Sequence, residues 1–429
     1  MVAILRGLFG LAFLLLVAYA FSRDKKHIDW KLVGIGVGLQ LVFGILITQV
    51  PFVESMFDVI SRGFVKLLSF SNDGAQFLFN GLARTDYGYI FAFRVLPTVI
   101  FFASISTGLY YLGVLQFIVK GIAWVMVRTM RLSGAESLSA AGNIFLGQTE
   151  APLLVKPFIS KMTKSELMCL MTGGMATIAG GVLAGYVTFL GGDDPVEQAR
   201  FAAYLLSASI MNAPAAIVMS KILIPERDFD KIDRDLSVSK EQMGVNLIDA
   251  LAKGASEGLK LALNIGAMLL AFIAIIFLLN YILRDMIGAW TGLNEIIISK
   301  TDGQFSGLSL EYLLGQVFRI FAFAIGVEWS ETLQVGSLIG QKTVINEFVA
   351  YESLSGLLKN DMLSKKSVII ATYALCGFSN FSSIAIQVGG IGGIAPNRQA
   401  DLSRLGLKAL IAATLATLMT ATIAGAIMV

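Results

Sequence analysis

Histidine and cysteine are almost missing from this 429-residue chain, and charge is scarce. The single histidine, His27, lies among Lys25, Lys26 and Lys31, where a solvated side chain is the expectation. One histidine excludes histidine-based catalytic triads and the usual zinc sites. The two cysteines, Cys169 and Cys376, each sit inside an apolar run. They read as buried small hydrophobes, with no disulfide or metal framework. Charged residues are 15% of the chain, apolar residues 56%, and the mean hydropathy is +0.75. An ordinary soluble domain is excluded, and a polytopic membrane protein is indicated.

Eight charge-free runs are long enough for a hydrocarbon core of about 30 Å. They cover roughly 7–22, 32–53, 95–119, 167–192, 201–220, 261–283, 367–397 and 409–429. Arg23-Asp24-Lys25-Lys26 follows the first run without a small-residue cleavage site, so it reads as an uncleaved helix. With the N-terminus outside, the inner segments 22–32, 116–165, 221–254 and 391–408 hold 19 Lys/Arg, against 11 in the outer segments. The positive-inside rule therefore places both termini outside. The net charge of +3 reflects this topology and gives no support to nucleic-acid binding.

The expected fold is all-α: eight transmembrane helices, two re-entrant helical hairpins in inverted repeats, and interfacial helices. Residues 1–89 read as a scaffold of two helices and an interfacial helix, Phe52 to Phe70, closed by the turn signal Asn72-Asp73-Gly74. From residue 90 the pattern of spanning, interfacial, short and broken segments occurs twice. The first copy is 90–223, with a hairpin at about 133–160. A cytoplasmic linker, 224–256, leads to the second copy, 257–429, with a hairpin at about 332–360. Each copy holds an odd number of spans, so the second enters from the opposite face. Ser137 to Gly147 and Thr332 to Gln341 are too short to cross, which is why hairpins are expected. Pro152 favours a bend after the first tip.

Each short block carries a carboxylate at expected membrane depth, Glu150 beside Gln148 and Thr149, and Glu347 beside Asn346. Such groups cost several kcal/mol there and mark a functional site by default. About 30 residues after each block comes an apolar segment with a polar break of its own, around Thr177 and around Ser379-Asn380. Interrupted segments at matching places in two halves point to a secondary transporter's site. No Lys/Arg cluster stands beside the blocks, so an anionic substrate is poorly served. A neutral ligand rich in hydroxyl and amide-like groups suits these side chains better, with a hard cation on oxygens such as the Asn143 amide and Thr177 hydroxyl. A channel would want a continuous polar path, and a hydrolase would want a base within the Ser383 segment.

Three motifs then carry a family resemblance. Gly142-Asn143-Ile144-Phe145-Leu146-Gly147-Gln148-Thr149-Glu150-Ala151-Pro152, Gln341-Lys342-Thr343-Val344-Ile345-Asn346-Glu347-Phe348-Val349-Ala350-Tyr351 and Ala374-Leu375-Cys376-Gly377-Phe378-Ser379-Asn380-Phe381-Ser382-Ser383 resemble, in order and spacing, those of the concentrative nucleoside transporters. The resemblance spans nearly the whole chain and is to the eight-helix bacterial members. It implies a symporter of the inner (cytoplasmic) membrane, with termini on the periplasmic side, importing nucleosides such as uridine by alternating access. It also implies a homotrimer in the lipid bilayer and a sodium ion as coupling ion, with proton coupling or a channel for small polar solutes as alternatives. Gln148, Thr149 and Glu150, with Val182 packed alongside, would meet the nucleobase. Glu347, Asn380 and Ser383 would bind ribose hydroxyls, with Phe378 against the sugar or base. The Asn143 and Thr177 side chains and the carbonyls of Leu146, Thr177 and Ile178 would hold sodium.

Overall fold

The computed structural model describes residues 2–84, 90–233, 236 and 244–428, and every regular element among them is helical. The chain opens with α1 (Val2–Phe21), α2 (Trp30–Gln49) and α3 (Pro51–Phe79). Then follow α4 (Phe91–Arg94), α5 (Leu96–Tyr111), α6 (Val114–Met130), α7 (Gly134–Gly142), α8 (Ala151–Leu154), α9 (Lys156–Ile159), α10 (Lys164–Ala176), α11 (Gly180–Gly191) and α12 (Pro195–Leu223). Beyond the linker come α13 (Leu247–Asn280), a π-helical turn (Tyr281–Gly288), α14 (Ala289–Thr291), α15 (Leu293–Lys300) and α16 (Leu310–Ala324). The chain closes with α17 (Thr332–Val344), α18 (Glu347–Lys359), α19 (Lys365–Leu375), α20 (Phe381–Ile394) and α21 (Gln399–Ile427). One order therefore occurs twice: long helix, amphipathic helix, hairpin, broken helix, long helix. Helix α5 packs on α13 and α12 on α21, while α10 and α19 both rest against α12 and α21.

Among the described residues, seven helical stretches are long and apolar enough to cross a bilayer. The remaining expected span, 367–397, is two short helices, α19 and α20, parted by Cys376–Asn380. The third expected span ends early, at Tyr111, where Gly113 takes φ 79° and turns the chain into α6. The sixth begins earlier than expected, at Leu247, so part of the linker is helix. The rest of the linker reaches into 234, 235 and 237–243, outside the described residues, as is 85–89 of the first segment.

Asn72-Asp73-Gly74 does not end the amphipathic helix. Its buried seam, Phe57, Ser61, Leu68, Ser71 and Ala75, runs straight through those residues at helical steps. Packing of α3 on α12 and α5 outweighs the local turn preference.

The expected inner segments meet at one end of the bundle. The Arg23 N–H donates to the Leu223 carbonyl (2.9 Å), and Arg227 pairs with Asp24. Lys164 lies 3.7 Å from Asp401, and Arg398 donates to the Met162 carbonyl. The buried Lys221 pairs there with Glu136, which caps α7 reciprocally with Ser133. At the other end Arg94 pairs with Asp193, and Arg6 donates to the Val327 carbonyl (2.7 Å).

The hairpins enter from these opposite ends. The first leaves at Gly134, whose N–H reaches the Asp233 carbonyl (2.8 Å), and returns at Ser160 beside Asn397. Its returning leg is two one-turn helices, because Pro152 and Pro157 each restart the helix. The second is tidier. Two 13-residue helices meet at Ile345-Asn346, and Glu331 closes the base by accepting from the Ser364 N–H (2.8 Å) and hydroxyl (2.9 Å). Glu331 ends the short turn Trp329–Glu331 that leads into α17. The structure makes it a clamp.

Candidate functional site

Two non-helical breaks, Thr177–Ala179 and Cys376–Asn380, cross in the middle of the bundle. The Phe378 N–H donates to the Thr177 carbonyl across the crossing (3.3 Å). Gly377 is needed there: a Cβ would sit 2.8 Å from the Ala176 carbonyl oxygen. The fully buried Asn212 of α12 joins the two by one amide. Its Nδ2 donates to the Ala176 (2.8 Å) and Cys376 (2.7 Å) carbonyls.

Both hairpin tips reach this crossing. From the first, the buried Gln148 amide donates to the Ser383 hydroxyl (3.1 Å) on α20. Its oxygen accepts from Gln387 Nε2 (3.2 Å), one turn further along α20, and the same Nε2 also reaches the Met171 carbonyl (3.1 Å). Gly174 makes room, since a Cβ would lie 2.5 Å from Gln387 Nε2 and 3.1 Å from Gln148 Cβ. Thr149 and Glu150 are exposed at the tip, and the Glu150 carboxylate accepts from the Gly147 N–H (2.6 Å). Val182 is buried in the first turn of α11, the helix whose Gly180 N–H reaches the Phe145 carbonyl (3.1 Å).

From the second tip comes Glu347, the first residue of α18, where the positive end of the helix dipole favours a carboxylate. It accepts from the Tyr186 hydroxyl and from Asn380 Nδ2, each at 2.9 Å. Two neutral donors thus hold the carboxylate. Asn380 also caps α20, its Oδ1 accepting from the Ser383 N–H (2.9 Å). Phe378 is half-buried beside them.

The expected cation ligands share one neighbourhood. Thr177 Oγ1 donates back to the Gly173 carbonyl (2.9 Å), and a Cβ on Gly173 would lie 3.1 Å from Asn143 Nδ2. Asn143 Oδ1 is buried with no donor. Among the described residues the Leu146 and Ile178 carbonyls accept no hydrogen bond either, nor do those of Gly174 and Met175 in the last turn of α10. Several uncompensated oxygens gathered without a nearby ammonium suit a hard monovalent cation.

The sequence reading missed Tyr186, Gln387 and Asn212. Gln387 was detectable, four residues beyond Ser383 and so on the same helical face. Asn212 was a polar residue within a spanning run, which is itself a signal. Lys342, one residue beyond the short block Thr332 to Gln341, is fully buried. The expected burial of Cys169 and Cys376 as free thiols is met.

Three family models match in order: Na+ dependent nucleoside transporter N-terminus over residues 9–82, Nucleoside recognition (Gate) over 92–193, and Na+ dependent nucleoside transporter C-terminus over 204–425. An uncharacterized transporter of Bacillus subtilis, YutK, is 42% identical over 98% of this chain and 99% of its own length. The nucleoside permease NupC of Helicobacter pylori is 38% identical, over 97% of this chain and 96% of its own. Solved structures of CNTnw are similar along the whole chain. The inward-facing, substrate-bound state has TM-score 0.88 at 40% identity, covering 99% of this chain and 98% of that one. An outward-facing variant of CNTnw has the same score and identity, covering 100% and 98%.

Proposed function

The chain belongs to the concentrative nucleoside transporter family and is no enzyme, and from that premise we propose that it imports nucleosides by alternating access, driven by sodium. One observation carries the reading: side chains from both hairpin tips, the second break and α20 converge on one buried polar network in the middle of the bundle. These groups satisfy one another, Gln148 with Ser383 and Gln387, Glu347 with Tyr186 and Asn380. A nucleoside would take over the same donors and acceptors, its base at Gln148, Thr149, Glu150 and Val182, its ribose at Glu347, Asn380, Ser383 and Phe378. Exchange of bonds in place of new exposure keeps the binding step free of orphaned polar groups.

Sodium travels as co-substrate. Asn143 Oδ1, Thr177 Oγ1 and the carbonyls of Leu146, Thr177 and Ile178 would hold it, beside the tip that carries Glu150. A cation there offsets the carboxylate and orders the tip around the base. The two copies, 90–223 and 257–429, act as inverted repeats, the termini lie on the outer face of the inner membrane, and the assembly is a homotrimer. The specific alternative is proton coupling through Glu150, favoured by its exposed carboxylate with a backbone partner alone.

Uptake of radiolabelled uridine into proteoliposomes, with Na+, Li+ or a pH gradient imposed separately, tests the scheme. Accumulation driven by inward Na+ is expected. Accumulation that ignores Na+ and follows an inward proton gradient transfers the coupling role to Glu150. Absence of counter-flow acceleration rejects a carrier.

A further inference from the structure

The two broken helices end in the same way topologically and in opposite ways chemically. Helix α19 has all four of its last carbonyls satisfied. Thr372 accepts from the Tyr351 hydroxyl (2.9 Å), Tyr373 from the Cys376 N–H (3.2 Å), Ala374 from Lys342 Nζ (2.8 Å) and Leu375 from the Gly377 N–H (2.8 Å). Lys342 reaches Ala374 from the last turn of α17, the outgoing leg of the second hairpin, and also donates to Thr417 Oγ1 (2.9 Å) on α21. Both partners are neutral oxygens, and the ammonium is fully buried. Helix α10 is the counterpart of α19. The residue that reaches it from the outgoing leg of the first hairpin is Asn143, neutral and with a buried Oδ1 that lacks a donor.

An ammonium stands at one break, then, and at the other stands a set of oxygens that wants a cation. A half-helix C-terminus carries about half a negative charge, and each hairpin tip carries a carboxylate, Glu150 exposed in the first and Glu347 buried in the second. Both halves therefore meet the same electrostatic demand, and an ion of about one positive charge answers it in each. We propose that Lys342 is a tethered cation: its ammonium permanently fills, in the second half, the position that a diffusible sodium takes in the first. The fold is built for two cations, one covalent and one exchangeable, and this sets the number of ions carried per nucleoside at one. The inference rests on the sodium reading above, and adds that Lys342 positions the second hairpin tip and Glu347 through its charge.

The test is equilibrium binding of uridine to the purified full-length protein across a series of Na+ concentrations. Wild type is expected to show a slope of about one for log affinity against log Na+, because each nucleoside brings one ion with it. Lys342→Asn removes the tether and rebuilds an amide like that of Asn143, so a second ion can enter and the slope rises to about two. Lys342→Met keeps volume and loses charge; uridine affinity should drop about tenfold or more at every Na+ concentration. Lys342→Arg should stay within about threefold of wild type. A folded Lys342→Asn protein whose slope stays at one overturns the proposal. So does Lys342→Met that binds like wild type while Lys342→Arg fails, since that pattern marks packing in place of charge. If Lys342→Asn does not fold, the Met and Arg pair decides alone. A wild-type slope of zero with intact uridine binding defeats the sodium reading instead, and the same pair still decides whether Lys342 acts through its charge.

Discussion

The first hairpin and the second have the same place in the repeated order of elements but differ in how much of their own polarity they satisfy. The first has an eight-residue non-helical stretch, 143–150, and a returning leg broken at two prolines. Around it, oxygens of Asn143, Leu146 and Ile178 go without donors. The second turns in two residues between regular helices, is clamped by Glu331 at its base, and meets a helix end with no carbonyl to spare. The contrast lies at the helix ends: among the described residues, the last carbonyls of α19 are all satisfied, although Ser379 Oγ in the same break is buried without a partner, whereas those of Gly174 and Met175 in α10 are not. On the sodium reading proposed above, an ion supplies what the oxygens of the first half lack.

The comparison can be broken most severely at Asn212, whose amide joins the two breaks. Asn212→Leu removes the donor to the Ala176 and Cys376 carbonyls together, and each buried carbonyl without a donor costs about 1–3 kcal/mol. A loss of about 2–4 kcal/mol is expected, read as a lowered unfolding temperature in detergent and lost uptake; an unchanged midpoint would mean that the breaks hold together without the staple. The next test confines damage to the first half. Asn143→Ala with Thr177→Val should abolish the sodium dependence of uridine binding, worth about 1–3 kcal/mol of coupling, while leaving weak sodium-independent binding. Retained dependence would move the ion elsewhere.

Glu347→Gln confines damage to the second half. The amide accepts more weakly than the carboxylate, so uridine affinity should drop about tenfold, or about 1–2 kcal/mol, with sodium dependence intact. Wild-type binding and uptake in that variant would remove Glu347 from the site. Smallest of all is Glu331→Ala, which opens the base of the second hairpin at about 1 kcal/mol. Its signature is faster amide exchange at Ser364 without a change in uridine affinity; a large loss of affinity would show that the second hairpin is less self-contained than its contacts imply.

Much of the centre was legible in the sequence because its signals are local. Glu150, Glu347, Asn380 and the breaks around Thr177 and Ser379 stand out as polar groups in apolar runs, where water cannot serve them. What escaped is the pairing across distance. Asn212 finds its partners 36 and 164 residues away, and Tyr186 finds Glu347 at 161. No periodicity encodes such meetings. The burial of Lys342 is not legible from sequence because lysines usually sit in water, and the neutral oxygens of Ala374 and Thr417 are what receive it. Asn72-Asp73-Gly74 misled in the opposite sense: a strong local turn signal yielded to a seam packed along α3.

The burial of Lys342 near the second tip has a further consequence, for the membrane voltage. If the hairpins and breaks move together between the two faces, Glu150, Glu347 and Lys342 ride with them. With all three ionised, the empty carrier moves one net negative charge, and the loaded carrier, with sodium aboard, moves none. Each elementary charge taken across the potential is worth about 2.3 kcal/mol per 100 mV. A negative interior then repels the empty site outward and leaves the loaded site indifferent. Voltage would act on the return stroke, resetting the carrier toward the side where its cargo waits.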